Sequence, residues 1–251
     1  MVKIQFCRIQ ACKHMVQKDL NIRQLFDVES STYTYLVMEA RSQKAVLIDP
    51  VLSQKDRDLR LIKELDVQLI LVMDTHIHAD HFSAAGCIRD QLKIKSACAK
   101  MAKLECADLA LADGEVIPLG DAVIECLATP GHTRGCMSYK VGHAVMTGDA
   151  LLIRGTGRTD FQGGSAQTLY KSIHEKLFTL PPETLVYPGH DYKGFSMSTI
   201  REERQHNPRV KDGISCAEFA KIMSELNLPH PKLMDQVLPA NSHCGQSPAG
   251  L

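Results

Sequence analysis

Apolar residues in this chain come in short runs separated by polar turns, and the runs end in a repeated way. Thr32 to Ala40 (TYTYLVMEA) is rich in residues that suit a pleated sheet. After the polar turn Arg41 to Lys44 comes a second run, Ala45 to Ile48 (AVLI), and together they predict a hairpin. Ser53 opens a predicted helix with Leu59, Ile62 and Leu65 on one face. Val67 to Met73 (VQLILVM) reads as a buried strand and runs into Asp74-Thr75-His76. Ala122 to Ala128 runs into Thr129-Pro130-Gly131-His132, Ala144 to Met146 into Thr147-Gly148-Asp149, and Leu185 to Tyr187 into Pro188-Gly189-His190. AVLI itself ends at Asp49-Pro50. Apolar strands that end in His or Asp, laid side by side, bring those polar ends to one rim, where loops converge and ligands bind. Helices fill the gaps. Ser165 to Leu180 carries Leu169, Ile173 and Leu177 at i, i+4 spacing, and Ser215 to Glu218 reads as a capping box ahead of Phe219, Ile222, Met223 and Leu226. Pro229 to Leu251, with prolines at 229, 231, 239 and 248, predicts an irregular tail lying along the body.

Composition narrows the classes. The chain has 251 residues, 44% of them apolar, which suits one domain over 1–251 with a short C-terminal helical or irregular extension from about 195. Lys plus Arg equals Asp plus Glu at 29 each, so no net charge draws the chain to nucleic acid or to an anionic membrane. No apolar run is long enough to span a bilayer. Nine cysteines without a C-x-x-C pair argue against a secreted disulfide framework and for a reducing compartment. The expected location is cytoplasmic, or the mitochondrial matrix for a eukaryotic source. The first fifteen residues are too short and too interrupted for a secretory signal.

Chemistry concentrates in Thr75-His76-Ile77-His78-Ala79-Asp80-His81, three His and one Asp within six residues just past a strand. The segment resembles the T-H-x-H-x-D-H signature of the metallo-β-lactamase superfamily. The later ligand positions of that superfamily are matched in order by His132 in TPGHT, Asp149 in TGD and His190 in YPGH, and its early Asp by Asp49. The resemblance implies an α/β fold, a four-layer αββα sandwich with a metal at one edge. Gly148 to Phe161 (GDALLIRGTGRTDF), Tyr187 to Phe195 (YPGHDYKGF) and Pro239 to Gly245 (PANSHCG) are similar to the persulfide dioxygenases of that superfamily. Gly189 stands where many of those relatives have Ala, and Thr156 where some have Cys.

That narrower resemblance implies one Fe(2+) per chain, held by His76, His132 and Asp149. Two His and one carboxylate leave open octahedral positions for substrate and dioxygen. The implied reaction oxidises glutathione persulfide with O2 and water to sulfite and glutathione. His78, Asp80, His81, His190 and Asp49 then orient ligands and water around an empty second metal position. Tyr192 is expected to reach the iron pocket with a phenol hydrogen bond and to count with the three ligands as catalytic. Arg158 is expected to fork onto a glutathione carboxylate, braced by Asp160, with Cys244 near the substrate mouth. The expected partners are the small-molecule persulfide and O2, with no nucleic acid and no membrane, in a monomer or homodimer. The alternative is a glyoxalase II-like binuclear glutathione thioester hydrolase, whose ligand set is also present. The segment after His190 is short for that family. A module that binds sulfur compounds without turnover is a third reading, at odds with three intact ligands.

Overall fold

Side-chain alternation along the strands decides the architecture seen in the computed structural model, which describes residues 20–245. Six strands form the first sheet in sequence order: β1 (Leu20–Asp27), β2 (Thr32–Glu39), β3 (Lys44–Ile48), β4 (Gln68–Met73), β5 (Lys95–Ala99) and β6 (Leu109–Leu111). The second sheet holds β7 (Val116–Leu119), β8 (Ala122–Ala128), β9 (Met137–Val141), β10 (Ala144–Gly148), β11 (Leu185–Pro188) and β12 (Ser198–Thr199), again as neighbours in order. On β2, Tyr35 and Val37 point between the sheets, where they meet Ile124, Met137, Tyr139 and Met146. Leu36 and Met38 point the other way, under Ile62 and Ile88. Ile62 lies on α1 (Lys55–Glu64) and Ile88 on α2 (Ala85–Leu92).

The outer face of the second sheet is covered in the same way. Val145 and Val186 pack with Leu169 of α3 (Ala166–Ser172), Ile200 of α4 (Ile200–His206) and Phe219 of α5 (Cys216–Ser224). A period of two with both faces apolar therefore gives helix, sheet, sheet, helix, the expected αββα layering. Ser165 caps α3, and a π turn over Ile173–Leu177 prolongs it, so Leu169, Ile173 and Leu177 are all fully buried. The capping box of Ser215 and Glu218 is formed.

Two expectations are corrected. The proline-rich tail is not all irregular: Met234–Asn241 is an α-helix, α6, with Pro239 inside it. Near the end of so short a helix a proline removes a single backbone bond, which tail packing can offset. The cysteines are not all free: Cys106 and Cys244 form a disulfide across 138 residues, a pairing that no local spacing reveals. The N-terminal segment tested for a targeting signal lies outside the described residues.

Parallel pairing places the site. β3 and β4 end in register, Ile48 opposite Met73, so Asp49 adjoins Asp74-Thr75-His76. β10 and β11 likewise end together, Gly148 opposite Pro188, so Asp149 adjoins His190. A bridge between Thr32 and His190, and a bond from the Met137 N–H to the Thr75 carbonyl at 2.8 Å, join the two sheets at that rim.

Candidate metal centre

Ligand-type atoms of His76, His132 and Asp149 lie within 4.8 Å of one another at this rim. His132 Nε2 is 3.6 Å from Asp149 Oδ2, close but not hydrogen-bonded, and Asp149 Oδ1 is buried without any hydrogen-bond partner. Buried polar atoms are rarely left so, and donors that converge without bonding each other are what a cation site looks like. The residues therefore fit a metal.

Their neighbours fix which nitrogen each imidazole presents. His132 Nδ1 lies 2.7 Å from the Arg158 carbonyl oxygen, which can only accept, so Nδ1 carries the proton and Nε2 the lone pair. Thr75 Oγ1 donates its one proton to Asp49 Oδ2 at 2.9 Å and so accepts from His76 Nδ1 at 3.0 Å, which again frees Nε2. Asp49 also takes the Thr75 N–H at 2.6 Å and His78 Nε2 at 3.1 Å. Three donors converge on that carboxylate, and it in turn orients the loop that carries His76. Burial, then the charges of His78 and His132, press the His76 imidazole well below its ordinary pKa, which keeps it neutral. Burial pushes the Asp149 carboxyl up, but His190, His132 and His76 together pull it below the ordinary range. At the end of β10 Gly148 adopts φ +49, and a Cβ there would meet Thr75 Oγ1 at 2.4 Å. The glycine lets the chain turn Asp149 inward against the His76 loop.

A second group, His78, Asp80 and His190, also gathers its ligand-type atoms within 4.8 Å. Asp80 Oδ2 is 3.0 Å from His81 Nδ1 and 3.7 Å from His190 Nε2. His190 Nε2 lies 3.6 Å from Asp149 Oδ1, while its Nδ1 faces the Ser31 carbonyl at 3.2 Å. His81 Nε2 and His78 Nδ1 are buried without partners. All five residues expected around the triad are thus at this rim.

The substrate residues come out differently. Arg158 does line the cleft, but its guanidinium already has partners: Nε and Nη2 fork onto Asp160 at 2.7 and 2.6 Å, Nη1 donates to the Pro229 carbonyl at 2.7 Å, and the group lies 4.8 Å over the Phe161 ring. Asp160 already occupies the carboxylate position expected for glutathione. Arg158 instead holds the Leu228–Pro229 wall and lends its own carbonyl to His132. Cys244 is 5% exposed and its sulfur is bonded to Cys106, so it is no part of the mouth. Tyr192 lines the same cleft as the triad, and burial, then the Asp149 and Asp80 carboxylates, raise the pKa of its phenol. Its ring stacks on that of His190, with centroids 5.8 Å apart, and it is 71% exposed.

A cleft of about 1050 Å³ opens over the triad, at the upper end of ordinary ligand sites. Two residues on its wall were not visible in the sequence reading. Arg209 donates to the Thr156 carbonyl at 2.6 Å and has no carboxylate within ion-pair distance among the described residues. Burial lowers its pKa, which marks a cation short of a counter-charge. Arg154, by contrast, is paired with Glu202 and Glu203. Asp191 Oδ2 gathers the backbone N–H groups of Lys193, Gly194 and Phe195, which ties down the loop that presents Tyr192. Sequence offers only weak signals for either, an Asp before an exposed turn and an Arg following Asn-Pro.

Comparison with known proteins agrees with this geometry. The family model of the metallo-beta-lactamase superfamily matches residues 28–190, which include all three triad residues. Persulfide dioxygenase ETHE1, mitochondrial, from Homo sapiens is 50% identical over 227 residues, covering 89% of this chain and 88% of that one. A crystal structure of ETHE1 from Myxococcus xanthus superposes with a TM-score of 0.87 at 53% identity, covering 90% of this chain and 100% of that chain. Glyoxylase B2 from Dictyostelium discoideum is more distant, 30% identical over 88% of this chain and 90% of its own. The chain belongs to the metallo-beta-lactamase superfamily and, within it, to the persulfide dioxygenases.

Proposed function

We propose that this chain oxidises glutathione persulfide with O2 and water to sulfite and glutathione, with one Fe(2+) held by His76, His132 and Asp149. The observation that carries the reading is the triad: two imidazoles with their lone pairs fixed outward and one carboxylate, converging under an open cleft. Bound there, iron would supply the one-electron steps that connect triplet dioxygen with a closed-shell sulfur, which zinc lacks.

The protein's own groups bind and orient. Arg209 is the guanidinium that the cleft offers to a glutathione carboxylate, because the other two that line it, Arg158 and Arg154, are already paired with carboxylates. Tyr192 stands at the mouth with its hydroxyl unbonded to any protein group among the described residues, available to a substrate amide or carboxylate. The Leu228–Leu233 segment, held by Arg158, forms one wall and excludes water from that side. His132 is kept in one tautomer by the Arg158 carbonyl, so the loop that shapes the cleft also aims a ligand.

The binuclear hydrolase reading draws on the second donor group, His78, Asp80 and His190. His78 Nε2 is engaged by Asp49 and Asp80 Oδ2 by His81, but His78 Nδ1 has no partner, so the number of ions bound is what separates the readings. Metal analysis separates the two: one iron per chain with no glutathione thioester hydrolysis supports the dioxygenase, whereas two ions per chain with thioester turnover supports the hydrolase.

A further inference from the structure

Among the described residues there is one covalent cross-link, and both of its ends rest on α2, the helix that follows the metal-bearing loop. Cys106 sits on the loop between β5 and β6, and its carbonyl accepts from Arg89 Nη1 of α2 at 2.6 Å. Cys244 lies just past α6, with 6.0 Å between the two Cα atoms. Its carbonyl rests on α2 as well: a Cβ on Gly86 would meet Cys244 O at 2.2 Å, so glycine is what lets the tail approach so closely.

Asn241, three residues before Cys244, is 4% exposed. Its Nδ2 donates to the carbonyls of His78 at 2.9 Å and His81 at 2.8 Å, and its Oδ1 accepts the Ser83 N–H at 2.9 Å. These backbone groups belong to the loop that begins at His76, and no strand or helix there supplies them with partners. One buried amide from the far end of the chain thus ties three points of the loop together.

We propose that the Cys106–Cys244 disulfide is a thiol-sensitive staple on the metal site, and that Asn241 is the positioning residue through which it acts. Closed, it holds Asn241 on the His78–His81 loop and slows metal loss. Opened, it frees the tail, and the loop relaxes. The proposal rests on the metal reading of His76, His132 and Asp149 and is independent of which substrate is oxidised.

The opening step is ordinary thiol–disulfide exchange. A small thiolate attacks the sulfur of Cys106, the less buried of the two residues, forming a mixed disulfide and releasing Cys244 as thiolate, which takes a proton. A second thiolate attacks the outer sulfur of the mixed disulfide, releasing Cys106. Two small thiols are oxidised to their disulfide, and the protein gains two electrons and two protons. The thiol product of the proposed reaction belongs to the class of reductant required.

The test uses the full-length Fe(II)-loaded protein, divided into an untreated portion and one reduced with excess glutathione. Thiols counted after denaturation are expected to differ by two. Release of Fe(II) to a colorimetric chelator is followed well below the melting temperature. The reduced portion is expected to release iron about threefold to tenfold faster, less than the 10–100-fold carried by direct partners of metal ligands. Cys106→Ser, which cannot close the staple, is expected to show the fast rate with or without thiol. Asn241→Ala is expected to be fast with the disulfide intact, and Asn241→Asp, which keeps the acceptor for Ser83 and loses both donors, is expected not to rescue it. In Co(II)-loaded protein the visible d–d bands are expected to shift in Asn241→Ala, which a merely less stable fold would leave in place. Equal release rates in portions that differ by two thiols would overturn the proposal, as would thiol sensitivity that persists in Cys106→Ser or thiol counts that never differ. A chain that takes up no iron in either portion overturns it together with the metal reading beneath it.

Discussion

Replacing Asp49 with Asn keeps the shape of the side chain and changes one atom's role, which makes it a sharp probe of how the metal loop is held. The carboxylate accepts three bonds: Oδ1 takes the Thr75 N–H at 2.6 Å and His78 Nε2 at 3.1 Å, and Oδ2 takes Thr75 Oγ1 at 2.9 Å. An amide can keep the first two with its oxygen, but each falls from a charged to a neutral bond, a loss of about 1 kcal/mol apiece. The third is inverted, because the new NH2 must donate where a carboxylate oxygen accepted. Burial acts in the other direction: it lifts the Asp49 carboxyl above its ordinary range, so removing the charge recovers part of the loss. The net loss of metal-free stability is about 2 kcal/mol. The larger effect is on the metal. With an amide donating to Thr75 Oγ1, the threonine proton turns toward His76 Nδ1 and drives the imidazole to its other tautomer, with the proton on Nε2 where the lone pair had been. Affinity for Fe(II) is expected to fall about 10–100-fold, as when other partners of metal ligands are lost. Chelator competition gives the dissociation constant, and melting of the metal-free protein gives the stability term separately. An Asp49→Asn variant that binds Fe(II) as tightly as the parent would refute the tautomer argument.

Other substitutions separate metal, wall and substrate roles. Arg209→Ala is expected to lower kcat/KM for glutathione persulfide about tenfold to hundredfold through KM, with kcat nearly unchanged, since a charge-assisted contact made equally in ground and transition states is lost; an unchanged KM would remove Arg209 from the substrate site. Arg158→Ala is expected to keep its iron and to lower Tm by about 2–4 °C, corresponding to about 1 kcal/mol for a wall contact whose Asp160 partner is half exposed. A raised KM with no loss of stability would restore the carboxylate role for Arg158. Asp149→Ala is expected to lose iron and activity together while the fold persists, as metal analysis beside circular dichroism would show.

What the sequence displayed was whatever repeats locally. Strand ends carrying Asp49, His76, His132, Asp149 and His190 were readable because each follows an apolar run, and parallel pairing of β3 with β4 and of β10 with β11 then made neighbours of them. The i, i+4 spacing of Leu169, Ile173 and Leu177 survived even though half of that helix is a π turn. Features that depend on distant partners were not legible. Arg158 looked like a free fork because nothing in its own segment shows that the Pro229 carbonyl, 71 residues later, closes over it. Arg209 looked like any surface Arg, and its meaning comes only from the fold, which leaves it half-buried with no carboxylate within ion-pair distance among the described residues. Asn241 sat in a stretch read as an irregular tail, yet its side chain spans 163 residues to reach His78. Local side-chain-to-backbone bonds such as the Ser215–Glu218 capping box show in residue spacing, but long-range ones leave no trace there and emerge only from coordinates.

The central claim is tested most directly by measuring oxygen uptake and sulfite formation in one vessel when glutathione persulfide is added to the Fe(II)-loaded protein. The account predicts one O2 consumed for each sulfite formed, with no uptake by Asp149→Ala. An iron-loaded protein that consumes no oxygen with this substrate would contradict it.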